Sequence, residues 1–298
     1  MTKLVECIPN FSEGRDEKVI NGLVKTAKSI TGVTLLDYSS DTSHNRSVFT
    51  LIGEVEGIKT AAIKLAEFAM ENIDLTKHEG EHPRMGAVDV IPFVPIKNVT
   101  MEECIEISKE VGKIIGEELK IPVYLYEESA SKTSRVNLAN VRKGQFEGMA
   151  EKMKKKDWAP DFGEAAPHPT AGVVAVGARM PLIAFNVNLS TSNVDIANNI
   201  AKIVRGSSGG FKYCKGIGVL LEDRNIAQVS MNMVNYEGTP LYRVLELIKI
   251  EAKRYGVNII GTELIGLAPA KALIDSAEYY LQLEDFDYNK QVLENHII

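Results

Sequence analysis

LVECIPNFSEGRDEKVINGLVKTAKSITGVTLLDY, residues 4–38, places a short apolar run on each side of a segment with helical spacing. The runs 4–8 and 33–38 predict strands, because apolar and β-branched residues dominate both of them. Between them, apolar residues recur three and four positions apart over 16–30, which predicts an amphipathic helix. Gly32 then ends that helix. The stretch therefore predicts a β-α-β unit.

The same order of elements continues beyond this unit. The runs 46–54 and 88–95 predict strands, and 58–72 predicts an amphipathic helix, which completes a β-α-β-β-α-β series. Residues 182–265 show the same series a second time. Such a series is typical of the ferredoxin-like, split β-α-β plan. The sequence therefore predicts a duplicated fold of the mixed α/β (α+β) class.

The duplication sets the expected domains. We predict two ferredoxin-like split β-α-β subdomains, residues 1–178 and 179–298, with the boundary within residues 174–181. Because ligands commonly bind where two α/β halves meet, we expect a substrate cleft between them. In the first subdomain, 39–45 is predicted to be a polar loop and 146–156 a basic helix.

Composition excludes several classes of protein. The 298 residues are 45% hydrophobic and 25% charged, which is normal for a globular protein with a sizeable core. A net charge of −6 argues against a nucleic-acid-binding protein. The cysteines are too few and too widely spaced for a disulfide framework, which indicates a reducing compartment. Without a signal peptide or a run long enough to cross a membrane, we expect a cytoplasmic protein.

HEGEH, residues 78–82, matches the H-E-x-x-H pattern of zinc metalloproteases. That chemistry needs both histidines on one face of a helix. Gly80 weakens a helix, and Pro83 disfavours the helical backbone at the residue before it. The sequence therefore predicts a loop with no metal, and a zinc hydrolase is the less favoured alternative.

His82 is the candidate acid–base group of this loop. A loop imidazole with a pKa near its usual value of about 6.5 can both accept and donate a proton at neutral pH. Glu79 and Glu81 are its neighbours in sequence, and their negative charges would raise the pKa of His82 if they lie close to it. The density of ionisable groups favours a functional role for this histidine.

Other loops contain groups that suit a ligand with carboxylates. Residues 10–15 precede a predicted helix, and the free N–H groups at a helix N-terminus attract anions. In the loop 37–46, Arg46 can bind a carboxylate through two hydrogen bonds. Residues 163–172 have glycine at both ends and prolines beside His168, which predicts an ordered ligand loop or a linker. The candidate substrate ligands are Asn10, Asp41, Asn45, Arg46, Arg84 and Arg179.

Five stretches carry a resemblance to a known family, and they span almost the whole chain. They are LVECIPNFSEGR (4–15), LLDYSSDTSHNRSVFTLIG (35–53), HEGEHPRMGAVDVIPFVPI (78–96), VGARMPLIAFNVNL (176–189) and IAQVSMNMVNYEGTPLYRV (226–244). The sequence resembles the glutamate formimidoyltransferase (formiminotransferase) family, which also forms the N-terminal part of formimidoyltransferase-cyclodeaminases. Ser39 departs from the family, because relatives often carry an acidic residue there.

The resemblance implies a reaction and a site. The reaction is transfer of the formimidoyl group from N-formimidoyl-L-glutamate to N5 of tetrahydrofolate, giving 5-formimidoyltetrahydrofolate and L-glutamate. The resemblance also implies that His82 is catalytic, that tetrahydrofolate is a substrate, that no metal is used and that the protein is a homodimer. The family's folate-binding loop corresponds to Gly163, Glu164, Ala165, Ala166, Pro167, His168, Pro169, Thr170, Ala171 and Gly172.

The residues leave alternatives open. N-formylglutamate differs from the formimidoyl donor at one atom, so formyl transfer to tetrahydrofolate fits the same sequence features. A folate carrier without turnover is a second alternative, and it would not need His82. A basic run could bind the polyglutamate tail of a folate, although such a run is usually a solvated face; its members are Lys152, Lys154, Lys155 and Lys156.

Overall fold

The computed structural model describes residues 2–296. Its contacts divide the chain into two compact units, Met1–Arg179 (unit 1) and Met180–Ile298 (unit 2). Each unit contains one β-sheet with helices packed against it, which confirms the predicted mixed α/β class. No helix in the described part of the chain is both long and apolar enough to cross a lipid bilayer.

Unit 1 alternates strands and helices along its whole length. Its elements are β1 (Leu4–Cys7), β2 (Asn10–Phe11), α1 (Glu17–Ser29), β3 (Val33–Asp41), β4 (Arg46–Gly53), α2 (Val55–Asn72), β5 (Val88–Lys97), α3 (Met101–Glu117), β6 (Val123–Glu127), α4 (Leu138–Arg142), α5 (Gln145–Met153) and β7 (Val174–Ala178).

The sheet of unit 1 is mixed. β1 and β2 follow each other between β4 and β5 and pair antiparallel with both, and β3 pairs antiparallel with the other edge of β4. Beyond β5 the sheet continues through β7 to β6, and these pairings are parallel. Parallel strands need crossover connections. Helix α3 lies in the connection from β5 to β6, and α4 and α5 lie in the connection from β6 to β7.

Helix caps and apolar spacing explain the main helices of unit 1. The Asp16 side chain accepts a hydrogen bond from the Lys18 amide at the start of α1, and Thr100 and Glu103 form a capping box at the start of α3. Buried residues of α1, α2 and α3 form one core with one face of the sheet. A smaller core on α4 and α5 includes Tyr124 and Tyr126. The part of the sheet formed by β5, β7 and β6 is therefore covered by helices on both faces.

Unit 2 contains a smaller, antiparallel sheet. Its elements are β8 (Ile183–Leu189), α6 (Val194–Val204), β9 (Cys214–Leu221), β10 (Ile226–Met233), α7 (Leu241–Arg254), β11 (Ile259–Ile265), α8 (Ala270–Leu281) and α9 (Tyr288–Gln291). The strand order is β11-β8-β10-β9, so β10 lies between the two strands that α6 connects. That arrangement is a split β-α-β unit. The ferredoxin-like classification of the two units stays a prediction.

Two local predictions for unit 1 are wrong. Residues 39–45 are not one polar loop, because β3 continues to Asp41, which pairs with Arg46 and leaves a short turn. Pairing with β4 outweighs the polar composition of this segment. The predicted basic helix over 146–156 ends earlier, at Met153.

Candidate active site

The loop that carries His82 connects α2 to β5. Residues 78–84 contain no helix, as predicted, so the two histidines of HEGEH do not share a helical face. Gly80 serves close packing instead, because a Cβ atom there would lie 2.5 Å from the His44 carbonyl oxygen. Within residues 2–296, no three histidine, cysteine or acidic side chains are grouped as metal ligands. The geometry of a zinc protease is therefore not formed by this motif.

Asn45 joins three loops at this site. It is buried, and its backbone has a φ of +48°, a conformation that asparagine tolerates better than most residues. Its side chain accepts a hydrogen bond from the Gly14 amide (2.9 Å) and donates one to the Glu79 carbonyl (3.0 Å). Its own carbonyl oxygen lies 2.9 Å from Nε2 of His78. Asn45 thus holds the loops together, and contact with a substrate stays a prediction.

His78 and Arg84 fasten the same loop to α5. Because Nε2 of His78 donates to a carbonyl oxygen, its Nδ1 is the acceptor for Nε of Arg84, at 3.2 Å. The guanidinium of Arg84 also donates to both carboxylate oxygens of Glu147, at 2.9 and 2.6 Å. This ion pair lowers the pKa of Glu147. The candidate ligand Arg84 is therefore buried and already bound to a carboxylate of the protein.

A cavity of about 440 Å³ lies beside this ion pair. Its lining includes His78, Arg84 and Phe146 but not His82. The cavity therefore adjoins the loop on the side away from the candidate acid–base group, and we assign it no role in the chemistry.

His82 is half-buried, and its Nε2 atom is buried without a hydrogen-bond partner among residues 2–296. Burial lowers the pKa of His82 to about 3, helped by the positive charges of Arg46 and Arg142. Glu79 and Glu81 do not raise this pKa, because both residues are exposed and cationic groups act on the imidazole instead. His82 is therefore neutral, and able to accept a proton, throughout the neutral pH range.

Arg46 belongs to the same cluster. Its neighbours Ser47 and Phe49 are buried, and side chains alternate along a strand, so Arg46 lies on the other face of β4. Its Nε atom is buried and has no acceptor within the described residues. Burial lowers the pKa of Arg46, and the charge of Arg142 adds to the effect. The structure thus brings two predicted site residues, His82 and Arg46, into one electrostatic cluster.

Sequence reasoning missed Asp89 and Arg142. Asp89 is almost fully buried, and its carboxylate accepts hydrogen bonds from the Met85 amide (2.7 Å) and from Nε of Arg142 (2.7 Å). One signal was available in the sequence. Asp89 is the only charged residue in the apolar run AVDVIPFV (87–94), and a buried carboxylate requires a partner.

Three other candidate ligands lie in different surroundings. Asp41 is exposed and accepts a hydrogen bond from the His44 amide (2.8 Å), which lowers its pKa. Asn10 donates to the carbonyl of Ile8 (3.0 Å). Arg179 follows β7, where its charge opposes the rise that burial causes in the pKa of Glu6. Asp41 lies on the turn next to Arg46, whereas Arg179 belongs to a second charged group.

The predicted folate loop is attached to the His82 loop by main-chain hydrogen bonds. The Leu75 amide donates to the Thr170 carbonyl, and the Ala87 amide donates to the Ala171 carbonyl, both at 2.9 Å. Nδ1 of His168 accepts from the Ala171 amide at 3.0 Å, and burial lowers the pKa of His168. The four residues at the start of the loop are exposed, and they are Gly163, Glu164, Ala165 and Ala166.

The basic run is partly used by the fold. Lys152 donates to the carbonyls of Asn140 (2.6 Å), Val141 (2.6 Å) and Lys143 (3.0 Å), which engages all three of its donors. Burial lowers the pKa of Lys152 to about 8. Lys154 pairs with Glu151. These contacts favour a structural role for Lys152 over a role in binding a polyglutamate tail.

Comparison with known proteins points to one family along almost the whole chain. Residues 4–179 match the family "Formiminotransferase domain, N-terminal subdomain", and residues 184–297 match "Formiminotransferase domain". A glutamate formimidoyltransferase of Streptococcus pyogenes serotype M1 is 70% identical over 100% of both chains. One from Thermoplasma acidophilum is 47% identical over 95% of this chain and 94% of its own. A formimidoyltransferase-cyclodeaminase of Dictyostelium discoideum is 45% identical over 96% of this chain and 54% of its own. This chain therefore belongs to the formiminotransferase family.

Proposed function

We propose that this protein transfers the formimidoyl group of N-formimidoyl-L-glutamate to N5 of tetrahydrofolate and releases L-glutamate. Full-length similarity to glutamate formimidoyltransferases supports the reaction. One structural observation carries the mechanism: a neutral histidine with an unpartnered Nε2 atom lies in a cluster with two arginines. The zinc-hydrolase alternative is not favoured, because the HEGEH loop is not helical.

The reaction requires two proton movements. The lone pair of N5 attacks the amidine carbon, and a tetrahedral intermediate forms with positive charge on N5. In our proposal His82 accepts the N5 proton and then delivers it to the nitrogen of glutamate, so the bond between that nitrogen and the former amidine carbon breaks. One imidazole thus serves as base and acid, a contribution of about 10²–10⁴ in rate.

Substrate positioning is the second part of the proposal. A carboxylate of the donor completes the hydrogen bonding of Arg46, whose Nε atom lacks an acceptor within residues 2–296. The folate lies against the loop 163–172, which is tied to the segment after His82. Holding both substrates in attack geometry lowers the barrier further, because two molecules no longer have to meet in solution.

The assembly and location of the protein are also proposals. We propose a homodimer in the cytoplasm, on the strength of the family resemblance and the sparse, buried cysteines. Light scattering at several protein concentrations tests the dimer, and a monomeric mass throughout would contradict it.

A two-donor assay tests the proposed reaction. Purified protein is incubated with tetrahydrofolate and either N-formimidoylglutamate or N-formylglutamate, and the folate products are separated by chromatography. We expect 5-formimidoyltetrahydrofolate from the first donor at a rate well above that with the second. Product from the formyl donor alone would establish formyl transfer instead. Folate binding without turnover of either donor would indicate a carrier.

A further inference from the structure

Asp89 lies at a β-bulge in strand β5, next to the candidate active site. In the pairing of β2 with β5, Asn10 lies opposite Val90 while Phe11 lies opposite Val88. Asp89 is therefore the extra residue on β5, and it has no partner across the strands. Bulges of this kind redirect a side chain and recur beside active sites. The exposed fraction of Asp89 is 1%, so its carboxylate depends wholly on protein partners.

The partners of Asp89 fix the plane of one guanidinium. Oδ2 of Asp89 lies 2.7 Å from Nε and 2.5 Å from Nη2 of Arg142, while Oδ1 accepts from the Met85 amide. The same carboxylate thus holds Arg142 and the end of the His82 loop. Two contacts to one edge of a guanidinium set its orientation, and the Nη1 atom makes no hydrogen bond within the described residues.

The cluster around His82 has too few hydrogen-bond acceptors. Nε of Arg46 is buried without one, and an unpaired buried donor is costly. The charged and titratable groups that act on His82 are cationic or imidazole groups, namely Arg46, Arg142, His44 and His78. The carboxylates that act on Arg46 are Asp41, which is bound to His44, and Asp89, which is bound to Arg142. An external carboxylate would supply the missing acceptor.

We propose that Arg46 and Arg142 together bind a carboxylate of the amino-acid substrate, and that Asp89 is the positioning residue that orients Arg142. The identity of the substrate rests on the proposed function. The carboxylate site rests on the unpartnered Nε atom of Arg46, on the hydrogen bonds that orient Arg142 and on the charge that both arginines exert at His82. Arg142 joins the site as a new binding residue.

The bound carboxylate also changes the acid–base state of His82. It neutralises the positive charge that keeps the imidazole from holding a proton, so the pKa of His82 rises toward neutral pH. The histidine then becomes able to deliver a proton to the leaving nitrogen only when the donor is in place. In the absence of the donor it remains a base.

Histidine NMR with glutarate tests the carboxylate site without turnover. The protein is labelled with ¹³C-histidine, His82 is assigned with His82→Asn, and its resonance is followed from pH 7 to 5 with and without glutarate. Without ligand we expect no protonation in this range, because the pKa is about 3. With glutarate we expect the titration midpoint to enter the range, which is a rise in the pKa of about two units or more. Glutaramide, which has no carboxylate, should leave the resonance unchanged.

Two arginine variants give this test its control. In Arg142→Gln the glutarate-induced rise should fall below about half of the wild-type value, since one of two cations is lost. Arg254→Gln removes an exposed arginine of unit 2 that pairs with Glu251, and its response to glutarate should equal that of wild type. An unchanged resonance with glutarate, or the same response in both variants, would overturn the proposal. Neither result bears on whether the two-donor assay succeeds.

Kinetics of Asp89→Asn test the positioning role. The amide oxygen can still accept from the Met85 amide, but the charged contact with Arg142 is lost. We expect KM for the amino-acid donor to rise about tenfold, within the range for lost orienting partners, with KM for tetrahydrofolate within about twofold of wild type. A merely structural role would change both KM values together or neither, which would contradict the assignment. Should this variant fail to fold, the same split in KM is expected for Arg142→Lys.

Discussion

The two sheets of this protein share one strand arrangement but differ in how completely the buried polar side chains of their units are hydrogen-bonded. In unit 1, the line β3-β4-β1/β2-β5 has the same order as β9-β10-β8-β11 in unit 2. Unit 1 leaves Nε2 of His82 and Nε of Arg46 buried without partners. In the described part of unit 2, residues 180–296, no buried side-chain nitrogen or oxygen lacks a partner.

Unit 2 pairs its polar side chains with one another. Gln228 donates to Asn188 (2.8 Å) and to Glu263 (3.1 Å), and Asn188 also donates to Glu263 (2.8 Å). Arg224 adds a third contact to Glu263, at 2.8 Å. This closed network has no evident need of a ligand. The comparison teaches that strand order alone does not create unpartnered buried polar groups. In our proposal, a bulge and three packed loops of unit 1 place the chemistry there.

Among the tests of this contrast between the two units, replacement of His82 should give the largest effect, a loss of activity. In His82→Asn we expect kcat to fall by about 10²–10⁴, because the proton-transfer group is lost, while folate binding is kept. Steady-state kinetics and folate titration by fluorescence measure the two properties. Arg254→Gln is the control, with kcat near that of wild type. Equal rates for His82→Asn and wild type would show that unit 1 does not carry the acid–base chemistry through this residue.

Asn45 should be the most costly polar residue to remove from the loops of unit 1. Asn45→Ala loses two side-chain hydrogen bonds and places alanine at a positive φ, so we expect the free energy of unfolding to fall by about 2–4 kcal/mol. Urea-induced unfolding measures the loss. Asn45→Gly is the matched variant, since it keeps the backbone conformation and loses only the hydrogen bonds. An equal loss in both variants would show that the backbone term is negligible.

Substitution in the closed network of unit 2 should reduce the free energy of unfolding by less. In Gln228→Ala two hydrogen bonds to Asn188 and Glu263 disappear, and we expect the free energy of unfolding to fall by about 1–3 kcal/mol. The same urea experiment measures this loss. Stabilisation by the substitution would mean that the network is strained, and the contrast between the two units would then need another explanation.

The smallest expected effect is a dependence of stability on pH. The pKa of His82 is about 3 in the folded protein and near 6.5 in the unfolded chain, so the unfolded state binds the proton more readily. This contribution is complete above pH 6.5 and is lost as the pH falls toward 3. After allowance for solvent exposure, wild type should lose about 1 kcal/mol more than His82→Asn between pH 7 and 5. Parallel losses in the two proteins would contradict the low pKa.

Much of the fold was predictable from local patterns. Apolar periodicity located α1 and α2, an apolar run located β4, and Pro83 argued against a helix at His82. The continuation of β3 to Asp41 was not predictable in this way, because its polar residues are held by pairing with β4.

The candidate site was predictable only in part. His82 and Arg46 were identified because histidine and arginine suit the chemistry in loops of that composition. The direction of the pKa shift of His82 was not predictable, since it depends on which charges lie near the imidazole: the neighbours in sequence are glutamates, whereas the fold places arginines there. The contact between Asp89 and Arg142 joins residues 53 positions apart and depends on a β-bulge. No local sequence pattern indicates either feature.

Gly172 links the two loops of the site in a way that constrains their separation. Its φ is +67°, and a Cβ atom there would lie 2.2 Å from the Met85 carbonyl oxygen, the same oxygen to which the Val173 amide donates. Any side chain at residue 172 would collide with that oxygen, so only glycine keeps the two loops at this separation. The distance between the two chain segments is thus set by a single missing Cβ atom.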